Sequence, residues 1–290
     1  MQAERMDELL WALRLVGNDA CHRASLRLAA AIAPLVPSRA QRQVANGAFA
    51  VLGRSVLASR HERMVGALLR LGHCPSIVDR LATRALANAW LRQVRARHLL
   101  AQPFTQVQAK CRAIRWNDPH ALWPAAAGRR RVICVLPSGD LELATAAVLD
   151  RPGAPAHYFI NSPYSERSVE HRVLLELQRQ GHRLDVGTPR DRGLAWRLLR
   201  KGVSVVTLFD PRLPDALRRQ ECAPLRLARL ARVPVLLLGH RHTDDGADAG
   251  TLHVLGEFSG SALEDGAAQV RRAARAFLAA SPEDWRDLER

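Results

Sequence analysis

From Val132 onward the chain alternates short β-rich apolar runs with helical stretches, and this alternation constrains the fold more than any other feature. Val132–Leu136 (VICVL) predicts a first strand, Ala156–Ile160 a second, Arg183–Val186 a third and Val203–Phe209 a fourth that ends at Asp210. Val233–Leu238 and Leu252–Phe258 follow as further strands. Between them, Leu141–Leu149, Ser165–Gln180, Asp191–Arg200 and the stretch around Leu225–Ala231 carry helical patterns, and Ala262–Ala280 closes with another. Strands separated by helices imply an α/β fold with a largely parallel central sheet flanked by helices. In such sheets the chemistry gathers at the carboxyl ends of the strands.

The preceding part reads differently. Met6, Leu9, Leu10, Leu13 and Val16 keep helical spacing before the Gly17-Asn18-Asp19 stop. Gln41–Leu57 and Glu62–Leu71 follow, and Ser76 with Asp79 reads as a capping box that opens a long helix. That helix turns Ile77, Leu81, Ala85, Trp90 or Leu91, and Val94 inward. The texture changes after Trp123-Pro124, so two parts are expected: a helical region over 1–125 and an α/β core over 126–290. Asn117-Asp118-Pro119-His120 reads as a turn.

Composition narrows the function classes. The formal net charge is +15, and of the 43 basic residues only Lys110 and Lys201 are lysine. A surface this basic attracts acidic proteins, anionic lipid head groups or nucleic acid. Nucleic acid ranks last, because zinc-finger spacing, an aromatic RNP-like strand and a helix-turn-helix are all absent from the sequence. Cys21, Cys74, Cys111, Cys134 and Cys222 lie far apart with no zinc spacing, so no metal is expected and a reducing, cytoplasmic compartment is. The longest early apolar stretch, Leu28–Ser38, holds two prolines and falls short of the roughly 20 residues that span a bilayer. Neither a transmembrane segment nor a signal peptide is expected.

The strand ends carry the informative residues. Pro137-Ser138-Gly139-Asp140-Leu141-Glu142-Leu143-Ala144 follows the first strand and resembles the H-F-G-N-W-E-L-A type segment of the lipid A late acyltransferases. Gly139 falls on the family's glycine, Glu142 on its acidic residue and Pro137 on its histidine. The similarity continues in order through Asn161–Arg167, Gly193-Leu194, Leu198–Asp210, Val233–Arg241 and Gly250–Val254. It covers roughly the last 160 residues. Two further departures are the lack of a membrane-anchoring helix and of an F-F-G element after the aspartate strand, where Pro211–Glu221 is rich in arginine.

The resemblance implies transfer of an acyl chain from an acyl-carrier-protein phosphopantetheine or a coenzyme A thioester to a hydroxyl or amine, with no bound cofactor. In the family a histidine deprotonates the acceptor while the acid orients it. Proline cannot take a proton, so an altered base is required. Ser138 is a candidate nucleophile or, alternatively, a helix N-cap. Asp140 is a candidate base or an acid favoured by the helix dipole. His240, or His242 beside it, supplies a replacement imidazole or belongs to a solvated turn. Glu142 and Asp210 are family positions that serve a site or support the fold. Gly139, Arg167, Asp210 and Arg241 are candidate substrate-binding residues, the two arginines through phosphate. Expected partners are an acidic acyl carrier protein or acyl-CoA, with peripheral contact to an anionic membrane. The alternative is a non-catalytic homologue that binds acyl chains, a carrier or an enzyme partner.

Overall fold

The computed structural model describes residues 38–52, 57–125, 130–149, 151, 157–161, 175–179, 181, 183–187, 191–211, 223–242, 249–259, 263–286 and 288. Among these, seven strands form one sheet: β1 (Arg115–Asn117), β2 (Val132–Val135), β3 (Tyr158–Asn161), β4 (Leu184–Gly187), β5 (Ser204–Leu208), β6 (Val235–Arg241) and β7 (Thr251–Phe258). Their order across the sheet is β1-β7-β6-β2-β5-β3-β4. The five strands from β6 to β4 are mutually parallel; β7 runs antiparallel to β6, and β1 runs parallel to β7. β2 is central, which explains its unbroken apolar sequence, because a strand covered on both faces has no side to give to water.

Nine helices flank the sheet among the described residues: α1 (Ser38–Leu52), α2 (Ala58–Arg70), α3 (Pro75–Ala101), α4 (Phe104–Ala113), α5 (Leu122–Ala125), α6 (Leu141–Leu149), α7 (Arg192–Arg200), α8 (Ala223–Ala231) and α9 (Leu263–Ala280). A short 3₁₀ turn, Pro282–Asp284, follows α9. The alternation of strand side chains divides the core in two. Val132, Cys134, Val205 and Leu237 pack with Met64 and Leu68 of α2, Leu81 of α3, Leu199 of α7, Ala228 of α8 and Phe277 of α9. Ile133, Val135, Val206 and Leu236 face the other way, against Val107 of α4, Trp123 of α5 and Leu143 and Val148 of α6. The expected largely parallel sheet with helices on both faces, preceded by helices, is what forms.

Several local expectations change. β1 lies inside the stretch read as purely helical, so residues 115–117 belong to the sheet; three residues with one half-buried tryptophan leave no period to read. Asp118 in the predicted turn caps α5, accepting the Leu122 N–H (3.0 Å) and the Trp123 N–H (2.8 Å). α4 had no sequence signal strong enough to announce it. The capping box does not form: α3 opens at Pro75, whose fixed φ suits the first helical position, and the Ser76 hydroxyl pairs with Cys74 Sγ at 3.1 Å. Met6–Val16 and most of Ser165–Gln180 lie outside the described residues, although 175–179 is helical. No described helix is long and apolar enough to cross a membrane.

β7 carries a bulge. Leu237 stands opposite Gly256 but Leu238 opposite Val254, which leaves Leu255 as the extra residue. The phase reversal lets Leu252 and Val254 enter one half of the core while Leu255 and Phe258 pack against the other.

Arg131, which immediately precedes β2, is fully buried. Its guanidinium lies 4.7 Å from the centre of the Trp123 ring and 3.9 Å from Glu257, and none of its side-chain nitrogens has a hydrogen-bond partner. Burial pushes its pKa down from the ordinary arginine value, and Tyr158, Glu257 and Asp118 oppose that shift. A cation so placed fills space at high desolvation cost. Arg131→Met is therefore expected to match or exceed the native stability in urea denaturation, whereas Arg131→Ala, which leaves a void under Trp123, is expected to lose about 2–4 kcal/mol. If the methionine variant falls as far as the alanine one, the charge itself is what holds this end of the sheet.

Candidate functional site

The turn after β2 meets the end of β6 because the two strands are neighbours in register, Val135 opposite Leu238. The contact is made possible by the absence of a side chain at Gly139. Its φ is +54°, a left-handed conformation, and a β-carbon there would collide with the His240 ring and the His240 backbone. Gly250 closes the opposite side of the ring in the same way, at φ +73°.

His240 is wholly buried between them. Its Nδ1 accepts the Asp140 backbone N–H at 3.0 Å, and its Nε2 lies 2.8 Å from the Ala249 carbonyl oxygen. A carbonyl only accepts, so Nε2 carries the proton and the ring is neutral. Burial lowers its pKa from 6.5 to about 4, with Ala249 opposing and Arg95 and His253 reinforcing the shift. The Ser138 hydroxyl accepts the His240 backbone N–H at 3.1 Å, so it caps neither α6 nor a free strand end. Asp140 is buried as well, and its carbonyl accepts the Ala144 N–H (2.9 Å) to begin α6. Ser138, Gly139, Asp140 and His240 are thus brought together, and the solvated His/Asp turn considered from sequence is replaced at His240 by a buried one.

The other candidates lie apart. Asp210 follows β5, on the other side of β2 from His240, and is partly buried. Arg241 alternates to the opposite face of β6, where its guanidinium lies 3.9 Å from the Phe277 ring centre and donates to the Phe277 carbonyl. Glu142 sits in the first turn of α6, its side chain outside the described residues, and Arg167 lies outside them altogether.

Sequence reasoning missed the segment that covers the turn. The Gly139 N–H donates to the Asp284 carbonyl (2.9 Å), the Arg286 N–H donates to the Pro137 carbonyl (2.6 Å), and Ser138 forms an antiparallel bridge with Trp285. The Asp284 carboxylate in turn accepts from Asn88 Nδ2 of α3 (3.1 Å) and from the His242 backbone N–H (3.2 Å). Arg92 Nη1 reaches the Asp284 carbonyl at 3.3 Å, and Arg95 Nη1 donates to His242 Nε2 at 2.8 Å. Burial, reinforced by Glu283, raises the Asp284 pKa to about 6 despite His242, Arg92 and Arg95. Pro282 at the start of the 3₁₀ turn with acids after it was a readable turn signal, but nothing in the sequence joins residue 284 to residue 139. Every residue from Arg131 to Asp140 is buried, the Pro137–Gly139 turn against this segment.

Cys74, Cys111 and Cys134 form no disulfide, and burial pushes the Cys134 thiol pKa upward. Among the described residues no cluster of three or more His, Cys, Asp or Glu side chains could hold a metal ion. No protein-family model and no curated protein matches the chain.

Titration gives the cluster a measurable signature. His240, held near 4, and His242, held well below 6.5 chiefly by burial, bind protons less readily folded than unfolded; their stabilisation is present above pH 6.5 and is lost as the pH falls. Asp284 acts oppositely, since its raised folded pKa adds stability as the pH falls from about 6 towards 3.8. Asp284→Asn removes that offset. Between pH 6 and 4 its unfolding free energy is expected to drop about 1.4 kcal/mol per pH unit more steeply than that of the native chain, read from urea melts at stepped pH. Parallel slopes would mean that Asp284 is not buried as a carboxyl group.

Proposed function

We propose that this chain is a non-catalytic acyltransferase-like protein, which uses the fold of the lipid A late acyltransferases to bind an acidic acyl carrier protein and its acyl chain without transferring it. The observation that carries this reading is the closed strand end: the turn bearing Pro137 at the family's histidine position is buried beneath residues 281–286. Support comes also from His240, whose two nitrogens are both engaged and whose ring stays neutral down to about pH 4. A general base needs a free lone pair within reach of its proton donor. The net charge of +15 suits an acidic carrier, since complementary charge speeds encounter and fixes orientation. In this reading the protein works in the cytoplasm.

One observation favours a second reading, acyl transfer from a carrier or coenzyme A thioester with an altered base. The His240 ring lies against Gly139, two residues beyond the position of the missing imidazole, with Ser138 and Asp140 beside it. Opening of the 281–286 segment would be required to admit substrate.

The two readings part in one experiment. Purified protein is incubated with labelled acyl-carrier-protein and acyl-coenzyme A thioesters, and both binding and thioester loss are followed. Carrier binding with thioester loss at the uncatalysed rate is the expected result. Turnover that falls a hundredfold or more in Asp140→Asn, Ser138→Ala or His240→Gln, with carrier binding retained, would replace the first reading by the second. Neither binding nor turnover would remove both.

A further inference from the structure

The sheet face on which α7, α8 and α9 pack carries an unusual outer surface. α7 lies over β5 and β3, α8 over β2, and α9 over β6 and β7, with α8 touching both neighbours. The three helices therefore form one continuous layer. Residues 192–202, 223–233 and 267–280 contain no aspartate or glutamate, although the chain as a whole has 28 acidic residues against 43 basic. Glu264 and Asp265 lie in the first turn of α9, ahead of the last of these stretches, and α1 and α4 also lack acids, so the layer is one basic, acid-poor surface of a basic chain.

Arg197 on α7 and Lys201 just after it, Arg226 on α8 and Arg232 in the turn after it, and Arg272 and Arg275 on α9 are all exposed. Among them stand two large apolar side chains open to solvent, Leu194 at 38% and Leu230 at 58% exposure. The remaining exposed positions are mainly small, such as Ala276 and Ala279. Among the described side chains of these stretches, Gln269 is the one exposed group that can accept a hydrogen bond.

We infer that this three-helix layer docks on the surface of an anionic phospholipid bilayer. A bilayer surface presents phosphate and ester oxygens, which are acceptors, and guanidinium groups match phosphate through paired N–H donors. A folded protein partner presents donors as well as acceptors, and the donors would find almost nothing here to bond. Nucleic acid offers phosphates but no apolar layer for Leu194 and Leu230, whereas the acyl boundary beneath the head groups accepts them. Attraction between basic side chains and anionic head groups adds over several residues and decays within a Debye length, so docking responds to salt. The inference is independent of carrier binding and holds whether or not the chain is catalytic.

The test is vesicle sedimentation of the full chain with phosphatidylcholine alone and with phosphatidylcholine containing phosphatidylglycerol, at low and high salt. Binding to the anionic vesicles is expected, weakened by salt and at least tenfold stronger than to neutral ones. Arg226→Gln/Arg232→Gln/Arg272→Gln is expected to lower the partition coefficient tenfold or more, with unchanged circular dichroism and melting temperature. Leu230→Ser is expected to lower it several-fold. Equal binding to neutral and anionic vesicles, native-like partition of the folded Gln variant, or salt-sensitive binding to single-stranded DNA or to an acidic protein without vesicle binding would each overturn the inference.

Discussion

The hydrogen bond from the Gly139 N–H to the Asp284 carbonyl ties together parts of the molecule that the sheet alone would leave apart. On one side stands the end of the central strand, on the other a short turn beyond the final helix. Asp284 extends the connection, because its carboxylate is held by Asn88 of α3 and by the backbone after β6. Three elements far apart in sequence, α3, the β2 end and the 282–286 segment, meet at Asp284, with the Ser138–Trp285 bridge and the Arg286 N–H to Pro137 carbonyl bond beside it. Removing a carboxylate from such a place leaves buried donors without acceptors, which costs more than the bonds are worth when intact.

The β2 end also shows how the end of a parallel strand can serve as a structural joint. In an open parallel sheet the carboxyl ends leave backbone groups for a ligand to use. Here those groups are consumed internally: Pro137 gives its carbonyl to Arg286, Gly139 its N–H to Asp284, and Asp140 its N–H to His240. The His240 imidazole is a polar filler whose two nitrogens match one donor and one acceptor of the surrounding backbone. Such matching is the condition under which a buried polar group is tolerated.

Much of the fold was legible because the core is patterned by apolar runs. Leu141–Leu149 forms over the residues its pattern marks, and every described strand after residue 130 falls within a few residues of its expected place. β1 and α4 were not legible: the first is too short to show a period, and the second, FTQVQAKCRA, buries little more than Val107 and Cys111. Of the site, the grouping of Ser138, Gly139 and Asp140 follows from their adjacency, and His240 joins them because β6 neighbours β2. The covering segment is held by long-range bonds, partly of the backbone and partly from the Asn88, Arg92 and Asp284 side chains, whose partners lie far off in the chain. No local pattern joins such residues in advance.

The bonds that close this end of the sheet have a kinetic meaning. Asn88 reaches the 283 carbonyl across 195 positions of sequence, and Arg92 reaches the 284 carbonyl across 192. Contacts of such span are slow to form, because the chain loses loop entropy before the contact returns anything. The sheet and its flanking helices have shorter-range contacts on which to assemble first. Closing this end of the sheet therefore adds to the contact order of the fold, and slower folding is what such long-range closure implies.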